Sequence, residues 1–294
     1  MSGERVGFIG LGAIGRPIAA HVARAFETAV WSRTPGRAEE FAAETGAEVV
    51  RETADLVDGC DTVLTCLPTS KEVREVVQRA ADQWRAGHVL VDLTSGDPNA
   101  SKEMGVWLAH RGAGFVDAPV SGGVGGAVKG SLTVMMGGEE PWITRAERVV
   151  APFAGAIVRV GPVGAGHAVK AVNQALLAVN ILAAGEGLAA LVKYGVSGVK
   201  ALEVINSSSG RSNVTEHLIP ERVLTRKWPR TFRLALMDKD VGIALDLIER
   251  EGVPSDVTAV VKRLLAEARA QLDVEADHVE AIRVIERVAG VEVR

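Results

Sequence analysis

Apolar residues in the first half of the chain come in short runs. Residues 5–9, 28–31, 62–66, 88–92, 115–117 and 132–136 are rich in Val, Ile, Leu, Phe and Thr and have the length of strands. Most are separated by stretches with Ala, Glu and Arg in which apolar positions recur at helical spacing. Strands alternating with helices predict βαβ units and a mostly parallel sheet. Beyond Gly161-Pro162 the strand signal vanishes. The segment 166–194 keeps helical spacing and stops before Gly195, a glycine C-cap. At about 1.5 Å per residue it would be roughly 40 Å long, enough to join two domains. Further helices are predicted at 200–206, 241–251, 255–273 and 278–289. The pattern sets a boundary near residue 162, giving an α/β domain over 1–162 and an all-α domain over 163–294. Two domains also suit a chain of 294 residues.

The first strand runs into Gly10-Leu11-Gly12-Ala13-Ile14-Gly15, and a helix follows. In a G-x-G-x-x-G loop of this kind the first glycine permits a tight turn and the second lets backbone approach a pyrophosphate. The third lets helix and strand pack closely. Free N–H groups at the helix start then favour an anion. A lone glycine pattern is weak evidence, but a strand before it and a helix after it are the context a dinucleotide site requires. The second strand ends in Ser32-Arg33-Thr34. An NAD site usually carries Asp or Glu here to accept hydrogen bonds from the ribose 2′-OH. A guanidinium with two hydroxyls suits a 2′-phosphate instead, so NADP is the expected cofactor, with NAD as the alternative.

Composition removes several other classes. With 47% hydrophobic and 24% charged residues the chain is not a disordered one, and a net charge of -4 gives no electrostatic reason to expect nucleic acid or membrane. Cys60 and Cys66 have neither C-x-x-C nor zinc-knuckle spacing, and read as reduced thiols of a cytoplasmic protein. Residues 1–5 are polar and the apolar run after them enters a glycine turn at once, so no leader is expected. The uncharged stretch 171–185 is interrupted by Asn173, Gln174 and Asn180 and falls short of the roughly 20 residues of a membrane span, which predicts a buried core helix.

A hydride-transfer enzyme needs a group that exchanges a proton with the alcohol oxygen. Tyr194 is the only tyrosine, and Gly198 stands four residues on, so a Tyr-x-x-x-Lys pair is impossible. The cysteines do not resemble a catalytic zinc site, the six histidines form no metal-ligand motif, and no metal is expected. Lys170 stands out. It precedes the uncharged stretch, and Asn173 and Gln174 follow at i+3 and i+4 on the same helix face. A lysine half-buried among apolar residues has its ammonium form disfavoured. Spacing alone does not separate that role from a lysine snorkelling to solvent at a helix start.

Four motifs, in order and at matching separations, resemble the β-hydroxyacid dehydrogenase family. They are the glycine loop, Asp117-Ala118-Pro119-Val120-Ser121-Gly122-Gly123, the stretch from Gly164 to Gln174, and Lys239-Asp240. The resemblance spans nearly the whole chain. It implies a Rossmann-type, doubly wound, mostly parallel sheet, then a long interdomain helix and an all-α domain that helps form homodimers or homotetramers. By the same resemblance Lys170 matches the catalytic lysine and Asn173 a substrate amide, with Gln174 beside it. Ser121, Gly122 and Gly123 match the loop that holds a substrate carboxylate; physically, such a loop offers a hydroxyl and successive N–H groups. Leu67, Pro68 and Ser95 fall where the family lines the nicotinamide, and Lys239 resembles a residue near the cofactor. The implied activity is an NADP-dependent dehydrogenase acting on a small 3-hydroxy acid or semialdehyde, 3-hydroxyisobutyrate foremost. Tartronate semialdehyde, succinic semialdehyde and serine-type substrates are alternatives. A reading from another class is a non-catalytic dinucleotide-binding scaffold, since fold does not fix function.

Overall fold

The computed structural model describes residues 4–294, so the polar residues 1–3, on which the expectation of no leader partly rests, lie outside the described residues. The chain divides into two compact units, the first ending at Lys170 and the second covering Ala171–Arg294.

The first unit is built on β1 (Arg5–Ile9), β2 (Glu27–Trp31), β3 (Glu48–Val49), β4 (Thr62–Thr65), β5 (Val89–Asp92) and β6 (Gly114–Asp117), all parallel. The sheet continues through β7 (Val120–Ser121), β8 (Leu132–Gly138) and β9 (Ala154–Gly161). Its order is β3-β2-β1-β4-β5-β6-β8-β7, with β8 antiparallel to β6 and β7, and β9 pairing parallel to β8. The chain moves outward from β1 to β3, then returns to place β4 on the other side of β1. That reversal opens a crevice at the carboxyl ends of β1 and β4.

Alternation along the strands feeds two cores, as the two-residue side-chain period of a strand requires. Val6, Phe8, Leu64, Val89, Val91 and Val116 point to one face. There they meet α1 (Gly15–Ala25), α2 (Pro35–Thr45), α6 (Gly123–Lys129) and α7 (Trp142–Val150) through Ile18, Phe41, Ala127 and Ile143. Ile9, Val63, Leu90 and Phe115 point to the other, against α3 (Thr53–Gly59), α4 (Ser70–Arg79) and α5 (Pro98–Ala109) through Leu56, Val77 and Leu108. Helices on both faces make the doubly wound sheet.

The long predicted helix is α8 (Ala165–Tyr194), closed by Gly195 at φ 103°. The two compact units divide inside it, at Lys170. By length and composition α8 is apolar enough to cross a membrane. One of its faces packs Ala178, Ile181, Leu182, Leu188 and Ala189 into the core of the second unit. That unit continues with α9 (Gly198–Asn206), a π-helical segment (Val214–Val223), α10 (Leu234–Arg250), α11 (Asp256–Gln271) and α12 (Ala281–Ala289). Pro220 inside the π-helical segment lacks the N–H that a tight helical ladder needs, and the wider turn is closed by Leu224 N–H on Ile219 O at 3.0 Å.

Candidate functional site

The glycine loop lies at the reversal point of the sheet. Gly10 has φ 108°, and a Cβ there would meet the Cys66 carbonyl, because the end of β4 passes directly beside the turn. A Cβ at Gly15 would collide with the Gly10 carbonyl oxygen, so that position has room only for glycine. A Cβ at Gly12 would have, beyond its chain neighbours, no atom of the described residues within 4 Å, and its backbone is outside the left-handed region. The space in front of Gly12, Ala13 and Ile14 is therefore open. Helix α1 starts there without a side-chain cap and with no acidic residue in its first turn, which leaves its positive dipole end to an outside anion. These are the features a dinucleotide pyrophosphate needs, and the loop fits that group.

The two glycines separate folding from binding. Gly15→Ala is expected to lower stability by about 1–3 kcal/mol through overpacking. Gly12→Ala should leave the melting temperature nearly unchanged, yet weaken binding of the reduced nicotinamide dinucleotide by about tenfold or more, or about 1.4 kcal/mol. Thermal unfolding and fluorescence titration of both variants check this. Equal losses of stability would show that Gly12 serves the fold alone.

The other positions of the first unit expected from the sequence to meet the dinucleotide also follow carboxyl ends of strands. Arg33 is exposed just beyond β2. Its turn is shaped by Thr34 N–H donating to Ser32 Oγ at 3.3 Å, and Pro35 then starts α2. Arg37, also exposed, lies in the first turn of α2 and adds a second guanidinium that the sequence reading passed over. Leu67 and Pro68 follow β4, and Ser95 follows β5. The two strand ends are locked together. Leu67 N–H donates to Thr94 Oγ1 at 3.1 Å, and buried Asp92 accepts from the Thr65 hydroxyl at 2.8 Å and from Thr94 N–H at 3.0 Å. Ser121 ends β7, and Gly122 and Gly123 follow with φ of 128° and 63°, both exposed.

Lys170 is only 7% exposed, in the second turn of α8 at the edge of the first unit. The second unit groups its own predicted residues. Asn173 Nδ2 donates to Gln174 Oε1 at 3.3 Å, Gln174 Nε2 donates to Asp240 Oδ2 at 3.2 Å, and Lys239 Nζ lies 2.9 Å from Asp240 Oδ1. Asp240 is thus the carboxylate that orders this polar group, and its position beside Lys239 was its only signal in the sequence. Burial pushes the Cys60 and Cys66 thiols up to about 12, so neither is a ready nucleophile at neutral pH. Among the described residues no group of three or more His, Cys, Asp and Glu side chains could hold a metal ion.

Two family models account for most of the chain. Residues 5–161 match the NAD binding domain of 6-phosphogluconate dehydrogenase, and residues 164–285 match the model described as NAD-binding of NADP-dependent 3-hydroxyisobutyrate dehydrogenase. With the doubly wound sheet and its glycine loop, they define an oxidoreductase that uses a nicotinamide dinucleotide. The chain is 32% identical over 293 residues to 2-(hydroxymethyl)glutarate dehydrogenase of Eubacterium barkeri, covering 98% of this chain and 97% of that one. It is 34% identical over 251 residues to human mitochondrial 3-hydroxyisobutyrate dehydrogenase, covering 82% and 74%. The solved structure of Mycobacterium tuberculosis 3-hydroxyisobutyrate dehydrogenase with L-serine superposes with a TM-score of 0.89 at 29% identity, covering 96% and 99%. The chain belongs to the β-hydroxyacid dehydrogenase family.

Proposed function

We propose that this protein is an NADP-dependent dehydrogenase of small 3-hydroxy acids or their semialdehydes, most like 3-hydroxyisobutyrate dehydrogenase, with Lys170 as general acid/base. The observation that carries the reading is a lysine 7% exposed in the motif that resembles the family's catalytic stretch. An amine held in one place by the fold can exchange a proton with a substrate oxygen set beside it. When an alcohol is oxidised, neutral Lys170 accepts the hydroxyl proton; in reduction its ammonium returns it to the forming alkoxide. Bound nicotinamide supplies or accepts the hydride. The loop from Gly10 to Gly15 holds the pyrophosphate, and Ser32, Arg33 and Thr34 meet the 2′-phosphate. Leu67, Pro68 and Ser95 line the nicotinamide, and Lys239, by its family resemblance, serves the cofactor. Ser121, Gly122 and Gly123 bind the substrate carboxylate through a hydroxyl and backbone N–H groups. Asn173, one helical turn beyond Lys170, holds the substrate oxygen, with Gln174 as its support.

The test is hydride transfer with 3-hydroxyisobutyrate, glycerate, serine and 4-hydroxybutyrate, each with NADP and NAD. The highest kcat/KM is expected for 3-hydroxyisobutyrate with NADP. No turnover on any of them, with NADPH still bound, would favour the scaffold reading. A shared oligomer in the cytoplasm is part of the proposal, and light scattering of the purified protein is expected to give a dimer or tetramer.

Cofactor choice rests on Arg33. Replacing it with aspartate removes a charge-assisted hydrogen bond worth about 1.5–3 kcal/mol and adds an acceptor for the ribose 2′-OH. Arg33→Asp is therefore expected to shift the NADP-to-NAD ratio of kcat/KM by about tenfold or more. A wild-type enzyme that already prefers NAD would refute this assignment.

A further inference from the structure

The start of α8 is held by groups from distant parts of the chain. Asp117, at the end of β6, is fully buried, and each carboxylate oxygen takes one backbone N–H. Gly164 N–H donates to Oδ1 at 2.7 Å and His167 N–H donates to Oδ2 at 2.8 Å. N–H groups at a helix start have no partner within the helix. A capping side chain ordinarily sits beside its helix in sequence, and such a cap satisfies the helix without locating it. Asp117 comes from another element, so satisfying these groups also fixes the helix against the sheet. Gly166 permits the close approach: a Cβ there would stand 2.8 Å from Asp117 Oδ2 and 2.9 Å from its carbonyl oxygen.

The same turn is tied a second time. The His167 ring is buried, with Nδ1 at 2.6 Å from Ser101 Oγ on α5. The Ser101 hydroxyl donates to Asp97 O at 3.1 Å. A serine has one hydrogen to give, so Nδ1 donates to Ser101 when that hydrogen goes to Asp97 O, and accepts from it when it does not. Among the described residues Nε2 has no hydrogen-bond partner, and it stands 3.9 Å from Asp92 Oδ2, beyond bonding range. Two elements of the first unit, β6 and α5, thus converge on the turn directly before Lys170.

We propose that Asp117 and His167 are positioning residues for Lys170, setting the height and rotation of α8 so that the amine meets the reacting oxygen. This rests on the reading of Lys170 as general acid/base. A helix moves as a rigid rod, so a shift of its first turn carries Lys170 with it, and a misplacement of about 1 Å can cost about 100-fold in rate.

The side chains offer paired substitutions. Asp117→Asn keeps the shape but turns an N–H donor toward one of the two helix N–H groups. His167→Asn puts an amide nitrogen where Nδ1 stands and keeps the bond to Ser101. His167→Gln puts it where Nε2 stands and loses that bond. The four full-length variants to compare are these three and Lys170→Ala. For each, kcat, KM, NADPH dissociation constant, melting temperature and the isotope effect with NADPH deuterated at the transferred position are measured on the best substrate of the panel. Amide exchange at residues 164–167 is followed as well.

For Asp117→Asn, kcat should fall by about 10- to 100-fold, with unchanged NADPH affinity, a larger isotope effect and faster exchange at Gly164 and His167. His167→Asn should stay near wild type, while His167→Gln falls as Asp117→Asn does. A folded Asp117→Asn enzyme with wild-type kcat and isotope effect would overturn the proposal. So would NADPH affinity that falls in step with kcat, or equal activities for the two His167 variants if Asp117→Asn does not fold. If Lys170→Ala itself keeps kcat, the acid/base reading fails instead, and the two failures are told apart.

Discussion

Lys170→Ala is expected to lower kcat by about 10²–10⁴, the value of a positioned proton transfer, while leaving the NADPH dissociation constant nearly unchanged. The dinucleotide contacts proposed above come from the strand ends and from Lys239, and Lys170 is not among them. Few other side chains in this chain can serve as the proton donor. One tyrosine is present, and it is 88% exposed at the end of α8. The thiols are held near 12, too high to serve at neutral pH. Lys170→Arg should fail as badly as alanine, because a guanidinium keeps its proton and has a different shape. A folded Lys170→Ala enzyme with near-wild-type kcat would sink the mechanism, and Asp240 or His167 would then be examined in turn. Steady-state kinetics and circular dichroism decide.

Asp277→Ala is expected to cost about 3–5 kcal/mol of stability, the usual penalty for breaking a buried charge pair. Asp277 is fully buried in the helical unit and acts as a hub. Its Oδ1 accepts from Arg222 Nη1 at 2.8 Å and Val279 N–H at 3.2 Å. Its Oδ2 accepts from Thr231 N–H at 2.9 Å, the Thr231 hydroxyl at 2.8 Å and Phe232 N–H at 3.0 Å. Alanine would leave all of these without their acceptor. Burial pushes the carboxyl pKa up, but the bonds from His278, Phe232 and Thr231 outweigh it and hold the group well below the usual carboxylate range. A depressed folded pKa means this stability is fully present above the unfolded value, about 4, and is lost as pH falls below it. Denaturant melts between pH 7 and pH 3 should therefore show wild type losing stability on the acid side more steeply than Asp277→Ala. Parallel curves for the two proteins would remove Asp277 as the cause.

Much of the architecture was written in local pattern. Strands β1, β4, β5 and β8 are buried runs, and the glycine loop announces its own turn, so each could be placed from spacing. Strand β9 was not, because none of its residues is buried and they lack alternation. It is a strand because β8 offers it a free edge. Helix α10 begins well before the predicted 241, at Leu234. Its start is fixed by Leu234 N–H on Ala276 O at 2.8 Å, a partner from beyond α11. The π-helical segment around Pro220 gave no helical signal for a related reason, since its wider turns break the usual spacing.

Sequence alone determined the class of sheet, the dinucleotide loop, the long helix and the lysine that opens its uncharged stretch. Each of these depends on residues near one another in the chain, where φ/ψ limits and side-chain period act directly. Tertiary structure decided how those pieces are held. Asp117 read as one letter of a motif, yet the fold makes it the cap of a helix whose first turn lies 47 residues away. Asp240 read as the neighbour of Lys239, yet the fold makes it the acceptor for Gln174 at 3.2 Å. Buried polar groups must find partners wherever the fold brings them. Such pairings follow from the packing of whole elements, and no local pattern carries them.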